Sequence, residues 1–336
     1  FRETFERANE KFSEIFVELG TTRLEDRDDA LDRAHGRRAW VVALLRVGGP
    51  PSALVPAAAL AVALVRGAAT ARPEAVRLAD RWAGAFLAAV LLLAACSKQT
   101  ASAGKDWAQS GGTTETIDHS VWDQLLSKYV KPSADGVNRV DYAALKRSDG
   151  ATLKRYLDAM QAVQIEKYPK NEQFAFWVNL YNAATVDVIL RNYPLDSIKD
   201  IGLLGQGPWK DKVLKVSGKA LSLDDIEHGI LRPVWKDVRI HYAVNCASIG
   251  CPNLAARAYT AANLEAMLED AARTYINHPR GFDRVDGALV ASGIFDWYVD
   301  DWGNQAAVLD HARKYASAKT KAILGSATAI DSHDYN

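Results

Sequence analysis

Apolar residues recur at helical spacing through much of the chain beyond residue 117, with short alternating runs between them. Val121, Trp122, Leu125, Leu126 and Tyr129 predict one helix, and Leu145 to Met160 another. Asn171 to Asn192 is the strongest helical pattern: Phe174, Trp177, Val178, Tyr181, Ala184, Val188 and Ile189 recur at three and four, and Tyr193-Pro194 ends it. Strands are short. The turn cluster Pro132 to Gly136 precedes one at Val137 to Tyr142. Ser217-Gly218 and Asp286-Gly287 sit inside hairpin patterns at Val213 to Leu221 and Val285 to Val290. Ser222 is placed to cap a helix running through Leu231, with Asp225 completing a near capping box. Thr260 caps a helix to about Ile276, Ser292 starts a helical turn, and Asn304 to Ser317 is the last long helix. Arg239 to Val244 predicts a strand, with Ile240, Tyr242 and Val244 on one face and His241, Ala243 and Asn245 on the other. The sum is an α+β class: one helix-rich domain over residues 117–336, with short strands and hairpins.

Upstream the pattern changes. Phe1, Phe5, Phe12, Ile15, Phe16 and Leu19 suit an amphipathic helix. Residues 39–70 are rich in Ala, Val and Leu, but their longest clean run, Ala57 to Val65, falls far short of the roughly 20 residues a spanning helix needs. Residues 76–96 read as an export signal. Arg77 and Arg81 form a positive n-region, Trp82 to Leu93 an apolar stretch, and Leu93-Ala94-Ala95-Cys96 a small-residue box. That box resembles the bacterial lipoprotein signal, which implies that Cys96 is diacylated on sulfur and becomes the mature N-terminus. Residues 97–116 then form a flexible, polar tether. Export signals stand at N-termini, so residues 1–75 are expected to be an upstream extension or artefact, with translation starting at Val76. Peptides from residues 1–70 recovered from the native host would refute this.

Composition narrows the function classes. Lys+Arg and Asp+Glu both number 41, so there is no basic excess of the kind nucleic-acid binding needs. Hydrophobic residues make up 49% and charged residues 24%, the balance of a globular protein. With three cysteines, one of them in the lipidation box, the domain is no disulfide scaffold. The membrane, reached through Cys96, is an expected partner, with the protein facing the periplasm or the outer cell surface; a substrate or protein partner is left open.

The candidate chemistry concentrates at Arg239 to Leu254, where His241, Cys246 and Cys251 lie close together. Three readings of the sulfurs stand side by side. They form a disulfide, which an oxidising compartment preserves. Alternatively one Cys is a nucleophile, its thiol pKa lowered from about 8.5 by a neighbouring imidazolium or helix N-terminus. Or they join His228 or His241 around zinc, although the spacing fits no standard zinc pattern and no metal or cofactor is expected. Glu227 and His228 are adjacent on the Ser222-capped helix, with Glu227 between Ile226 and Ile230, where it needs a partner such as Arg232. Asn179 and Asn182 share a face of the long helix with Phe176 and Trp177. Buried Asn in such a setting satisfies a neighbouring loop or, in the second reading, binds substrate. Asp296-Trp297-Tyr298 and Asp300-Asp301-Trp302 are acidic-aromatic repeats read as packing.

Three stretches in order carry a family resemblance: Phe176-Trp177-Val178-Asn179-Leu180-Tyr181-Asn182-Ala183, Leu223-Asp224-Asp225-Ile226-Glu227-His228-Gly229-Ile230-Leu231-Arg232, and His241-Tyr242-Ala243-Val244-Asn245-Cys246-Ala247-Ser248 with Gly250-Cys251-Pro252. Tyr259-Thr260, Ser292 to Tyr298 and His333-Asp334-Tyr335-Asn336 add to it. Residues 118–336 resemble the domain of unknown function 547 (DUF 547), a family that includes bacterial exported proteins and plant proteins with a leucine-zipper region. The family usually runs on past its Y-D segment, so the last strand or turn is expected to be cut short here. The resemblance implies a fold unit without a settled activity. A polar helix followed by a His-bearing strand is similar to papain- and transglutaminase-like thiol enzymes, an analogy of arrangement. On that analogy the expected function is a thiol-dependent hydrolase or acyltransferase. Cys246 would be the nucleophile, His241 or His228 the base, Glu227 the orienting acid, and Asn179 or Asn182 polar stabilisers. The alternative is a non-catalytic envelope binding or scaffold module in which Cys246 and Cys251 form a structural disulfide.

Overall fold

The helix Lys170–Asn192 runs through the middle of the domain and is buried on almost every side. Phe176, Trp177, Val178, Leu180 and Ala183 have no exposed surface at all. Each such large apolar side chain removed from water contributes about 2–3 kcal/mol, which is why the other elements gather here. The computed structural model describes residues 107–202 and 207–335. Within them the element order is α1 (Ser120–Tyr129), β1 (Val130–Pro132), β2 (Asn138–Val140), α2 (Tyr142–Ser148), α3 (Gly150–Gln161) and the central α4 (Lys170–Asn192). Next come β3 (Leu214–Val216), β4 (Lys219–Leu221), a π-helical stretch α5 (Asp225–Leu231) that continues as Arg232–Trp235, and a helical turn α6 (Ile240–Ala243). The remainder is α7 (Leu264–Ile276), β5 (Phe282–Val285), β6 (Ala288–Ser292), α8 (Ile294–Trp297), α9 (Val299–Trp302), α10 (Gln305–Tyr315), α11 (Ala318–Leu324) and β7 (Ser332–Asp334).

The class is α+β. β1–β2 and β3–β4 are isolated antiparallel pairs, while β5, β6 and β7 form the one sheet of three strands among the described residues, with β7 parallel to β6. Both predicted hairpins form. At the second, Asp286 and Gly287 take positive φ of 50° and 84°, as a two-residue turn with the strands' own twist requires. Among the described residues no helix is long and apolar enough to cross a membrane. The proposed signal at residues 76–96, with Cys96, lies outside the described residues, as do residues 1–75.

Three expectations are corrected. Residues 107–116 were expected to belong to the tether, yet they pack on the domain. Trp107 is buried edge-on against Trp177 at 5.1 Å. Backbone bonds from Gly111 to Tyr168 and from Thr113 to Lys167 hold the segment down. Polar composition misled because one Trp supplies the anchor. The predicted helix Leu145 to Met160 is two helices, α2 and α3, broken at Asp149, whose carboxylate accepts bonds from Lys128 and Tyr129.

The strand expected at Arg239 to Val244 is instead the turn α6. Ile240, Ala243 and Val244 belong to the main core, while Tyr242 belongs to a second cluster built from α7, the three-stranded sheet and α10. The turn is wedged between two cores, so all its faces are buried and the apolar alternation sorts nothing. Asp237 starts it by accepting the Arg239 N–H at 2.9 Å.

Candidate functional site

Two Asn side chains of α4 set the position of everything that follows. Asn182 donates to the Ala243 carbonyl at 2.9 Å and accepts from the Asn245 N–H at 2.8 Å, fixing the exit of α6. Asn179 does the same for Tyr259, donating to its carbonyl at 2.7 Å and accepting from its N–H at 3.0 Å. Both residues are buried, and the oxygen and the nitrogen of each amide have a backbone partner. This favours the loop-satisfying reading over the substrate-binding one.

Beyond Asn245 the chain turns sharply. Asn245 accepts from the Ala247 N–H at 3.0 Å, and Ala247 takes a left-handed φ of 60°, unusual for a residue with a Cβ. Cys246 and Cys251 are joined in a disulfide, with Cα atoms 6.3 Å apart. Asn245 also donates to the Pro252 carbonyl at 2.7 Å, closing the same loop by a second route. Tyr275 donates to the Gly250 carbonyl at 2.7 Å. Arg280 donates to the carbonyls of Ile249 and Cys251 at 2.7 and 2.8 Å.

Strand β7 delivers a residue from the far end of the chain. The Tyr335 hydroxyl lies 3.0 Å from Cys246 Sγ and 3.2 Å from Cys251 Sγ. Burial pushes its phenol pKa upward, so the hydroxyl keeps its proton. The Tyr335 ring rests against the indole of Trp297 at 4.7 Å, and Trp297 is 56% exposed. Gly293 makes this contact possible, since a Cβ there would come within 3.0 Å of the indole and 3.3 Å of Tyr335.

The imidazoles lie in a separate network. His241 Nε2 is 2.7 Å from Asp301 Oδ2, and its ring is stacked between Tyr298 at 4.5 Å and Trp302 at 5.2 Å. Arg232 grips the same carboxylate through Nε at 2.6 Å and Nη2 at 2.8 Å. Burial works to raise the Asp301 pKa. The hydrogen bonds and charges of His241 and Arg232 outweigh it and hold the carboxyl well below the usual carboxylate range. Arg232 Nη1 also lies 3.2 Å from His228 Nδ1. A guanidinium can only donate, so His228 Nδ1 accepts, and in the neutral ring the hydrogen sits on Nε2, 3.9 Å from Asp224 Oδ1. Glu227 is buried. It takes the Tyr181 hydroxyl as a hydrogen-bond partner and lies 3.8 Å from His228 Nδ1. Burial raises the Asp224 pKa and also the Tyr298 pKa.

The expected catalytic set therefore divides. Glu227, His228 and His241 converge through Arg232 and Asp301, whereas the hydrogen-bond partner of Cys246 Sγ is Tyr335 and its covalent partner is Cys251. Two of the expected roles do not match this arrangement. Cys246 has no free thiolate while bonded to Cys251. His241 is 1% exposed at its side chain, with Nε2 engaged by Asp301. Reading the sequence missed Asp301 and Tyr298, which lay in the acidic-aromatic repeats taken for packing, and it missed the role of Tyr335. Arg232 was foreseen as a partner, but for Glu227 rather than for Asp301. Among the described residues no group of three or more His, Cys, Asp or Glu is arranged to hold a metal ion.

Residues 165–276 match the model of a family described as a protein of unknown function, DUF547. Over this span the chain is similar to DUF547 proteins. The match takes in α4, the α5 motif and the disulfide loop, and ends at the last residue of α7. Asp301, Trp297 and Tyr335 reach the DUF547 motifs from beyond the matched span. No curated protein and no solved structure matches the chain.

Proposed function

We propose that this is an exported, lipid-anchored envelope protein whose DUF547 domain is a binding module. Its contact surface is the disulfide loop with the Trp297–Tyr335 aromatic pair. The observation that carries the reading is the separation of sulfur from base: Cys246 is bonded to Cys251, and His241 is enclosed by Asp301, Tyr298 and Trp302. A thiol hydrolase needs a thiolate beside an accessible base. Ile249, 49% exposed at the tip of the loop, and Trp297 supply the apolar surface expected of a contact patch. Anchoring at Cys96 rests on the positive n-region, the apolar stretch and the L-A-A-C box.

Two measurements test it. Labelling cells with a clickable fatty acid should mark the protein and fail for Cys96→Ala. Thiol titration of the purified Cys96→Ala chain should find no reactive sulfur in the native or denatured state, and two after reductant. A native reactive thiol at Cys246, with acyl or thioester hydrolysis abolished by Cys246→Ser, would instead establish the thiol-dependent hydrolase or acyltransferase.

A further inference from the structure

The two sulfurs of the loop are not equivalent. Cys251 is 4% exposed, whereas Cys246 is only half-buried. Of the two residues, Cys246 is the more open to an incoming thiolate. The Tyr335 hydroxyl touches both sulfurs, lying 3.0 Å from Cys246 Sγ, and Cys251 Sγ has a backbone donor as well. The Cys246 N–H points at Cys251 Sγ from 3.0 Å, and the Tyr335 hydroxyl lies 3.2 Å from it. The Arg280 guanidinium sits 2.8 Å from the Cys251 carbonyl. Hydrogen-bond donors to a sulfur are the features that lower its thiol pKa and make it a better leaving group.

Holding the loop closed does not require the bond. Asn245 already bridges to Pro252, and Tyr275 and Arg280 clamp the carbonyls of residues 249 to 251. A cross-link that closes so short a loop also constrains the unfolded chain least. Meanwhile Ala247, directly after the accessible sulfur, is held in a left-handed conformation that its Cβ disfavours.

We infer that Cys246 and Cys251 form an exchangeable pair, in which a thiol attacks Cys246 and Cys251 leaves. The thiolate of a small thiol or of a partner's cysteine forms a bond to Cys246 Sγ. The Cys246–Cys251 bond breaks, and its electron pair goes to Cys251 Sγ, opposite the Cys246 N–H and Tyr335. A second thiolate then attacks the outer sulfur of the mixed disulfide and releases the Cys246 thiolate. In sum, two thiols lose two electrons and two protons to become a disulfide, and the protein's disulfide becomes two thiols. Because Tyr335 also backs Trp297, exchange changes the surface on which the binding proposal rests.

The probe is reduced glutathione added to the oxidised Cys96→Ala protein, quenched with iodoacetamide and mapped by mass spectrometry without reduction. Glutathione should appear on Cys246 with Cys251 alkylated, and Cys251→Ser exposed to oxidised glutathione should hold the adduct on Cys246 stably. Tyr335→Phe should keep its thermal transition yet slow reduction by about tenfold, and should raise the Cys251 thiol pKa read from thiolate absorbance in the reduced protein. A pair left intact until denaturant is added, an adduct on Cys251 first, or a Tyr335→Phe protein with unchanged rate and pKa would overturn the inference while leaving the binding module standing. Free thiols before any glutathione is added would sink the binding module itself.

Discussion

His241 Nε2 and Asp301 Oδ2 lie 2.7 Å apart, with Arg232 closing on the same carboxylate from the other side. All three side chains are at least three-quarters withdrawn from water, so the carboxylate cannot be lost without leaving a poorly solvated cation. Asp301→Asn is expected to cost about 1–3 kcal/mol in urea unfolding at pH 7, discounted for the partial exposure of Arg232. The sign with pH follows from the depressed carboxyl pKa. This stability is present above the unfolded-state value of about 4 and disappears as pH falls through the lower folded value. The wild-type advantage over Asp301→Asn should therefore shrink in acid; a pH-independent difference would contradict the network.

His119 gives the opposite case of a buried base. Burial lowers its pKa to about 4 against the raising effect of Asp118, and its Nδ1 lies 2.8 Å from the Tyr156 hydroxyl. The unfolded chain takes up a proton near 6.5, so stability is complete above that pH and is lost as pH falls from 6.5 towards 4. The loss from this residue is about 3 kcal/mol. His119→Gln should flatten the stability profile between those limits, as read by chemical denaturation at half-unit pH steps.

Asn179 and Asn182 act as latches rather than ligands. Replacing either with Leu removes two hydrogen bonds and strands a backbone donor and acceptor, for an expected cost of about 2–4 kcal/mol. Asn182→Leu should also speed hydrogen exchange at Asn245 and Cys246, which Asn179→Leu should leave largely alone. Equal protection in both variants would remove the latch assignment.

Gly293→Ala tests the aromatic pair directly. The added methyl meets the Trp297 ring at 3.0 Å and Tyr335 Cβ at 3.3 Å, so both must shift. We expect a changed Trp297 emission for about 1 kcal/mol of stability. The Tyr335→Phe variant separates loss of the hydroxyl from loss of the ring contact. An emission spectrum unchanged in Gly293→Ala, after subtracting that of Trp297→Phe, would show that the pair tolerates the methyl.

Local pattern alone determined the helices α1, α4, α7 and α10, the two hairpins with their Ser217-Gly218 and Asp286-Gly287 turns, and the Ser222–Asp225 cap. Each depends on contacts within a few residues, or on a stripe whose period survives as long as one side faces water. The α6 turn lost that property by being buried between two cores, and Asp149 broke a helix by binding Lys128 and Tyr129 from another element. The candidate site was legible as an inventory: Glu227, His228, His241, Cys246 and Cys251 were all marked. Which of them act together was not legible, because the deciding partners are remote in sequence. Asp301 is 60 residues from His241, and Tyr335 is 89 from Cys246. No periodicity reports such a distance. Only packing of the β5–β6–β7 sheet and the α8–α9 segment against the α5 motif puts the carboxylate on the imidazole and the phenol on the sulfurs.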